Sequence, residues 1–260
     1  MIVRKKVAIS KTLVALPIRN KALIFGTAAA LIVLCRPTLP CCDTGQSPFS
    51  REQSSSSSSE GYEGTIVAFG DSLTEGYGLR EKDAYPALLE KKLASGGYSY
   101  KVVNAGISGE TSSGALSRVK WIESLKPDIV VLETGANDAF RGIDPVLIEK
   151  NITNVIRTLK DRGIVVVLAG MQITQNLGPS YISAFKGIYP KVAEKEKVIL
   201  VPFFLAGVAA SPKLNQPDGI HPTAEGYRVV TENVYPYVVK AVEKVREMRK
   251  SGGTTGGKGT

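Results

Sequence analysis

A chain of 260 residues with 43% apolar content is long enough to bury one large core, and nothing in it calls for a second folded domain. The formal charge of +9, from 33 Lys and Arg against 24 Asp and Glu, would ordinarily raise nucleic acid as a partner. Seven of the basic residues and no acidic one lie within residues 1–42, so the rest is nearly neutral and offers no footprint for a phosphate backbone; nucleic-acid binding is not expected.

Those first 42 residues combine a basic start with the apolar run Ala22–Cys35, shorter than the roughly 20 residues of a relaxed membrane span. They read as a signal peptide or N-terminal membrane anchor, so the protein is expected to be exported: periplasmic, secreted or tethered to a membrane. No small-x-small cleavage site follows Leu34, which keeps an uncleaved anchor open. All three cysteines, Cys35, Cys41 and Cys42, fall in this stretch, leaving the folded domain without a disulfide or a catalytic thiol. Each follows a residue (Leu34, Pro40, Cys41) unlike the small one that precedes a lipidated cysteine, which disfavours lipid attachment. Residues 43–64, with the unbroken run Ser54–Ser59, are too polar to pack and read as a disordered linker to a domain over 65–249.

The domain opens with a strand at Thr65–Phe69, followed by Gly70-Asp71-Ser72-Leu73-Thr74-Glu75-Gly76. A serine at a strand's carboxyl end, between glycines that permit a tight path, is well placed as a nucleophile, although Gly-Asp-Ser alone more often marks a capped helix start. Asp83 is the expected N-cap of a helix over Tyr85–Ala94. A second strand, Tyr100–Asn104, leads into Ala105–Thr111, where Gly109 offers a bare backbone N–H as an oxyanion donor or simply a helix-entry glycine. The next helix runs through Leu125 and stops at Pro127. The third strand, Asp128–Glu133, ends in Thr134–Asp138, where Asn137 offers a side-chain amide or an Asx-turn cap.

A long helix from about Pro145 is closed by Gly163, and a fourth strand covers Ile164–Ala169. A helix over Ser180–Lys195 and a fifth strand, Val198–Val201, follow. Ile173, Leu177, Phe203 and Phe204 are candidates for an acyl-binding wall, with Phe203 and Phe204 equally readable as caps on the core. Asp218-Gly219-Ile220-His221-Pro222 then precedes the last helix, Thr223–Met248. His221 is the sole histidine, and Asp218 three residues upstream across a glycine is placed to fold back and fix its tautomer. A serine hydroxyl needs such an imidazole within about 3 Å to become nucleophilic. Residues 250–260 read as a disordered Gly/Thr-rich tail, whose fragment of a phosphate-loop pattern lacks the required Ser or Thr.

Short apolar strands alternating with helical segments predict an α/β fold, a three-layer α/β/α sandwich with a central five-stranded parallel sheet of flavodoxin-like type. Near-continuous hydrophobicity in the strands implies helices on both faces, and reactive groups in such sheets gather beyond the strands' carboxyl ends.

The blocks GDSLTEG, NAGISGET, GAND and DGIH, in that order across Thr65–Met248, resemble those of the GDSL or SGNH hydrolases. Met171–Ile173, Ala184–Lys191 and Val201–Phe204 look most like the bacterial multifunctional acyl-CoA thioesterase, lysophospholipase and arylesterase group. The resemblance implies a serine hydrolase of carboxylic esters or thioesters acting through an acyl-serine, with Ser72, Asp218 and His221 catalytic and with Ser72, Gly109 and Asn137 forming the oxyanion hole. Ala136 stands where relatives often carry glycine, at a tolerant position. The loop Thr174–Tyr181 looks shorter than in familiar members, so acyl-chain preference does not carry over. The alternatives are a noncatalytic anion- or ligand-binding module on the same fold and an acyltransferase using the same triad. No cofactor is expected, and one histidine with no domain cysteine leaves too few ligands for a metal. Oligomeric state is not legible.

Overall fold

The computed structural model describes residues 61–173 and 177–253, with side chains through Ser251. The leader, all three cysteines, most of the Ser-rich linker and residues 254–260 lie outside the described residues. Five strands form where sequence periodicity places them: β1 (Gly64–Gly70), β2 (Tyr100–Gly106), β3 (Ile129–Leu132), β4 (Val165–Ala169) and β5 (Ile199–Val201). All pair in parallel, in the order β2-β1-β3-β4-β5. β-Branched residues dominate the central strands, and Ile66–Phe69, Ile129–Leu132 and Val167–Ala169 are inaccessible to solvent because helices cover both faces.

Among the described residues seven α-helices accompany the sheet: α1 (Ser72–Glu75), α2 (Tyr85–Ser95), α3 (Ser112–Ser124), α4 (Ala136–Phe140), α5 (Pro145–Lys160), α6 (Pro179–Glu196) and α7 (Ala224–Gly253). α2 packs beside α7 in one outer layer, while α3, α5 and α6 pack in succession in the other. The α5 stripe Ile148, Ile152, Val155, Ile156 and Leu159 recurs every three or four residues and is fully buried, the mark of a helix held by one apolar face.

Several boundaries differ from the sequence reading. Asp83 does not cap α2; it closes a 3-10 turn over Glu81–Asp83 and pairs with Arg80 at 2.8 Å, and the capping position falls to Ala84. The linker ends earlier than expected: Gly64 already belongs to β1, Glu63 N–H donates to Ser99 O, and the Glu63 carboxylate grips Arg246 through both oxygens. α7 continues to Gly253, four residues beyond the expected end of the domain.

The chain leaves β1 for β2 on one side and returns through β3 on the other. That reversal splays the connections after β1 and β3 apart and opens a crevice at the sheet's carboxyl edge. Ser72 follows β1 and Asn137 follows β3, so both border it.

Candidate active site

The turn after β1 is shaped by Asp71. Its Oδ1 accepts from Leu73 N–H at 2.9 Å, capping α1 and making Ser72 the first helical residue. Ser72 Oγ lies 2.9 Å from His221 Nε2, although 149 residues separate them. The imidazole reaches it from a loop after β5 that is tied down by its own backbone: Asn215 bridges Pro222 antiparallel, and Gln216 N–H donates to His221 O at 2.7 Å. Gln216 Nε2 also donates to Tyr77 O, which docks the loop on the segment after α1, and the Tyr77 ring lies on the imidazole with centroids 4.6 Å apart.

Asp218 folds back on the same loop. Its Oδ1 accepts from the Ile220 and His221 N–H groups at 2.9 and 3.0 Å, and its Oδ2 lies 2.7 Å from His221 Nδ1. The Ile220 hydrogen bond foremost, then those from His221, pull the Asp218 carboxyl down to a pKa of about 2. An ionised carboxylate at Nδ1 selects the tautomer with its proton there, leaving Nε2 as the acceptor for the Ser72 hydroxyl.

The expected oxyanion donors border the same crevice. Asn137 Nδ2 donates one hydrogen to Asp71 Oδ2 at 2.9 Å and keeps a second to offer. Gly109 has φ +78°, a left-handed conformation costly for any residue with a Cβ, which is why glycine stands there. Neither Ser72 N–H nor Gly109 N–H has an acceptor among the described residues. Asp138 locks the two loops together: its carboxylate accepts from Ser112 N–H at 2.7 Å and from Ser112 Oγ at 2.6 Å, and Asn151 on α5 donates to the same hydroxyl.

A cavity of about 550 Å³ opens here, with Ser72, Gly109, Asn137 and His221 on its wall. Ile173 and Phe203 line it, as the sequence suggests. Two other candidates do not: Phe204 is fully buried and packs edge-to-face on Tyr85, 5.2 Å between centroids, while Leu177 is exposed outside the cavity. Adjacent residues of an irregular segment point to different sides, so Phe203 faces the cavity and Phe204 the core. Residues 174–176 of the neighbouring loop lie outside the described residues. Sequence reading missed Tyr77, Phe140, Met171 and Ile220, which add apolar surface, and among the described residues no Lys or Arg lines the cavity.

It also missed Glu133. This side chain is completely buried beneath the nucleophile turn, where its Oε2 accepts from Asp71 N–H at 3.2 Å and from Thr74 Oγ1 at 2.9 Å.

Residues 68–229 match the GDSL-like lipase/acylhydrolase family. An esterase TesA of Pseudomonas aeruginosa is 43% identical over 173 residues, covering 66% of this chain and 86% of that protein. The thioesterase 1/protease 1/lysophospholipase L1 of Escherichia coli K12 is 36% identical over 169 residues, 65% of this chain and 80% of its own length. Among solved structures, the esterase EstA from Pseudoalteromonas sp., inhibited by monoethylphosphonate, superposes with a TM-score of 0.66 at 30% identity, covering 70% of this chain and all of that one. With a serine, an imidazole and a carboxylate in hydrogen-bonded sequence at the sheet's carboxyl edge, and with relatives of this identity and coverage, the chain belongs to the GDSL-like lipase/acylhydrolase family.

Proposed function

We propose that the protein hydrolyses carboxylic esters and thioesters through an acyl-Ser72 intermediate. The observation that carries this reading is the unbroken relay from Ser72 Oγ to His221 Nε2 and from His221 Nδ1 to Asp218. His221 takes the serine proton as Oγ attacks the acyl carbon, then protonates the leaving alkoxide or thiolate. It next removes a proton from water, which attacks the acyl-serine and regenerates the hydroxyl. Ser72 N–H, Gly109 N–H and the free Asn137 amide hydrogen receive the developing oxyanion.

The cavity wall supports an acyl substrate. Its apolar side chains, with no Lys or Arg among the described lining residues, suit a hydrocarbon or aryl group and ill suit a phosphate, so the lining weighs against the anion-binding alternative. Export by residues 1–42, with tethering to a membrane if they are retained, belongs to the same proposal; its support is the sequence alone.

The test is covalent labelling with a fluorophosphonate beside p-nitrophenyl ester hydrolysis. The native chain is expected to be labelled and to turn over, and Ser72→Ala to lose both while keeping its thermal unfolding profile. Substantial turnover by Ser72→Ala would overturn the assignment.

A further inference from the structure

Glu133 is a buried acid to which the proposed mechanism gives no part. It follows β3, and its side chain enters a space that only Gly70 leaves free: a Cβ at residue 70 would lie 2.6 Å from Glu133 Oε2. Oε2 carries the nucleophile turn from below, accepting from Asp71 N–H and Thr74 Oγ1. Oε1 has no hydrogen-bond partner among the described residues.

Among the described residues no cation pairs with it. The titratable groups facing it are Asp71 on the nucleophile turn, Tyr85 on α2, Tyr189 on α6 and Tyr227 on α7, with Glu75, Asp138 and His221 further out. Arg118, which reaches Gly70 O from α3, is paired with Glu110 through Nε and Nη2 at 2.5 and 2.7 Å, and the same Nη2 donates to the carbonyls of Gly70 and Ala105; its Nη1 has no hydrogen-bond partner among the described residues, and no atom of Arg118 bonds Glu133. Two adjacent buried carboxylates without a counter-ion do not both stay charged. The hydrogen bonds say which one takes the proton. Both oxygens of Asp71 already accept from N–H donors, Leu73 and Asn137, whereas Oε1 of Glu133 accepts from nothing.

We propose that Glu133 is a positioning residue that works as the uncharged acid, bearing the Ser72 turn on its Oε2 and leaving Asp71 as the lone carboxylate that aims the Asn137 amide. The inference rests on the reading of Ser72 as nucleophile and of Asn137 as oxyanion donor. Burial first, and then the negative charge of Asp71, push the Glu133 carboxyl well above its ordinary value, in agreement with the hydrogen-bond argument. The linkage has a definite sign. The unfolded chain ionises Glu133 near the ordinary value of 4.5 while the folded chain keeps the proton. Its contribution to stability is therefore complete below that pH and is lost as pH rises through the raised folded value.

The experiment compares Glu133→Gln, a neutral side chain that still accepts from Asp71 and Thr74, with Glu133→Met, which accepts from neither, in the full-length protein. For Glu133→Gln, kcat on a p-nitrophenyl ester is expected within about fivefold of native, whereas Glu133→Met loses about 10²-fold in kcat with KM within about threefold, as for misplaced transition-state donors. The melting temperature of Glu133→Gln, relative to native, is expected to rise between about pH 4 and pH 8, because the glutamine has no proton to lose. Equal loss of kcat in both variants would show that a charged carboxylate is required and overturn the proposal. So would full activity in Glu133→Met, or a melting difference independent of pH. Should Glu133→Met fail to fold, the glutamine variant and its pH dependence still decide. Failure of the parent reading shows separately, as persistent turnover in Ser72→Ala, and the melting comparison needs no turnover.

Discussion

In the proposed mechanism Asn137 serves two partners with one amide: one hydrogen goes to Asp71, and the other is assigned to the oxygen of the reacting acyl group. A donor used mainly in the transition state affects turnover more than binding. For Asn137→Ala, kcat is expected to fall about 10²- to 10³-fold with KM almost unchanged, and steady-state kinetics on a soluble ester checks it. A change confined to KM would count against the donor role. Asp218 sets a different limit. With its carboxyl held near 2, chiefly by the Ile220 N–H, its contribution to loop stability is present above the ordinary 3.8 and is lost only as pH falls toward that lower value. The residues that meet at the crevice were legible as candidates because each is chemically distinctive where it stands: the sole histidine, an acid three residues before it, a serine and a glycine after strands. Glu133 was not, since it reads as the polar end of a strand. The overlooked signal is an acid directly after Ile129–Leu132, a run buried on both faces, where a charge needs a partner or a proton. Phe204 was misassigned because composition says that a phenylalanine is buried, not which side of the chain buries it.

At the scale of elements, periodicity carried most of the fold. Strands covered on both faces read as unbroken apolar runs, and α5 showed its stripe in sequence. Ends were harder. Asp83 resembles a helix cap, yet Arg80 competes for its carboxylate, and the turn it closes starts α2 at Tyr85 with Pro86 in the first turn, where a missing N–H costs little. Such competition between local partners is absent from any one-dimensional pattern. The energetic content of α5 is testable away from the chemistry. Ile156 is fully buried in the stripe, so Ile156→Ala is expected to destabilise the fold by about 2–5 kcal/mol in denaturant titration, with kcat of the folded enzyme unchanged. A loss under about 1 kcal/mol would mean that the site collapses around the gap more readily than a packed helix face should.

For the whole molecule, the sheet order decides where chemistry occurs. Crossing from β2 over β1 to β3 brings Ser72 and Asn137 to one crevice, and the loop before α7 delivers the imidazole to it. Residues 1–60 supply none of these groups, so their proposed role is delivery. A chain beginning at Gly61, which keeps the Glu63–Arg246 contact, is expected to match the full-length protein in kcat/KM but to remain in the cytoplasm of an expressing bacterium, while the full-length chain is recovered outside it. Equal distribution of the two forms on fractionation would remove the export proposal and leave the chemistry standing. The absence of Lys and Arg from the described part of the cavity wall bears on the end of the proposed cycle as well. In the proposed cycle deacylation leaves a free carboxylate beside buried Asp71, with no Lys or Arg among the described lining residues to hold it. On that reading the spent acid meets no ion pair on the described wall, and its departure is not slowed by one.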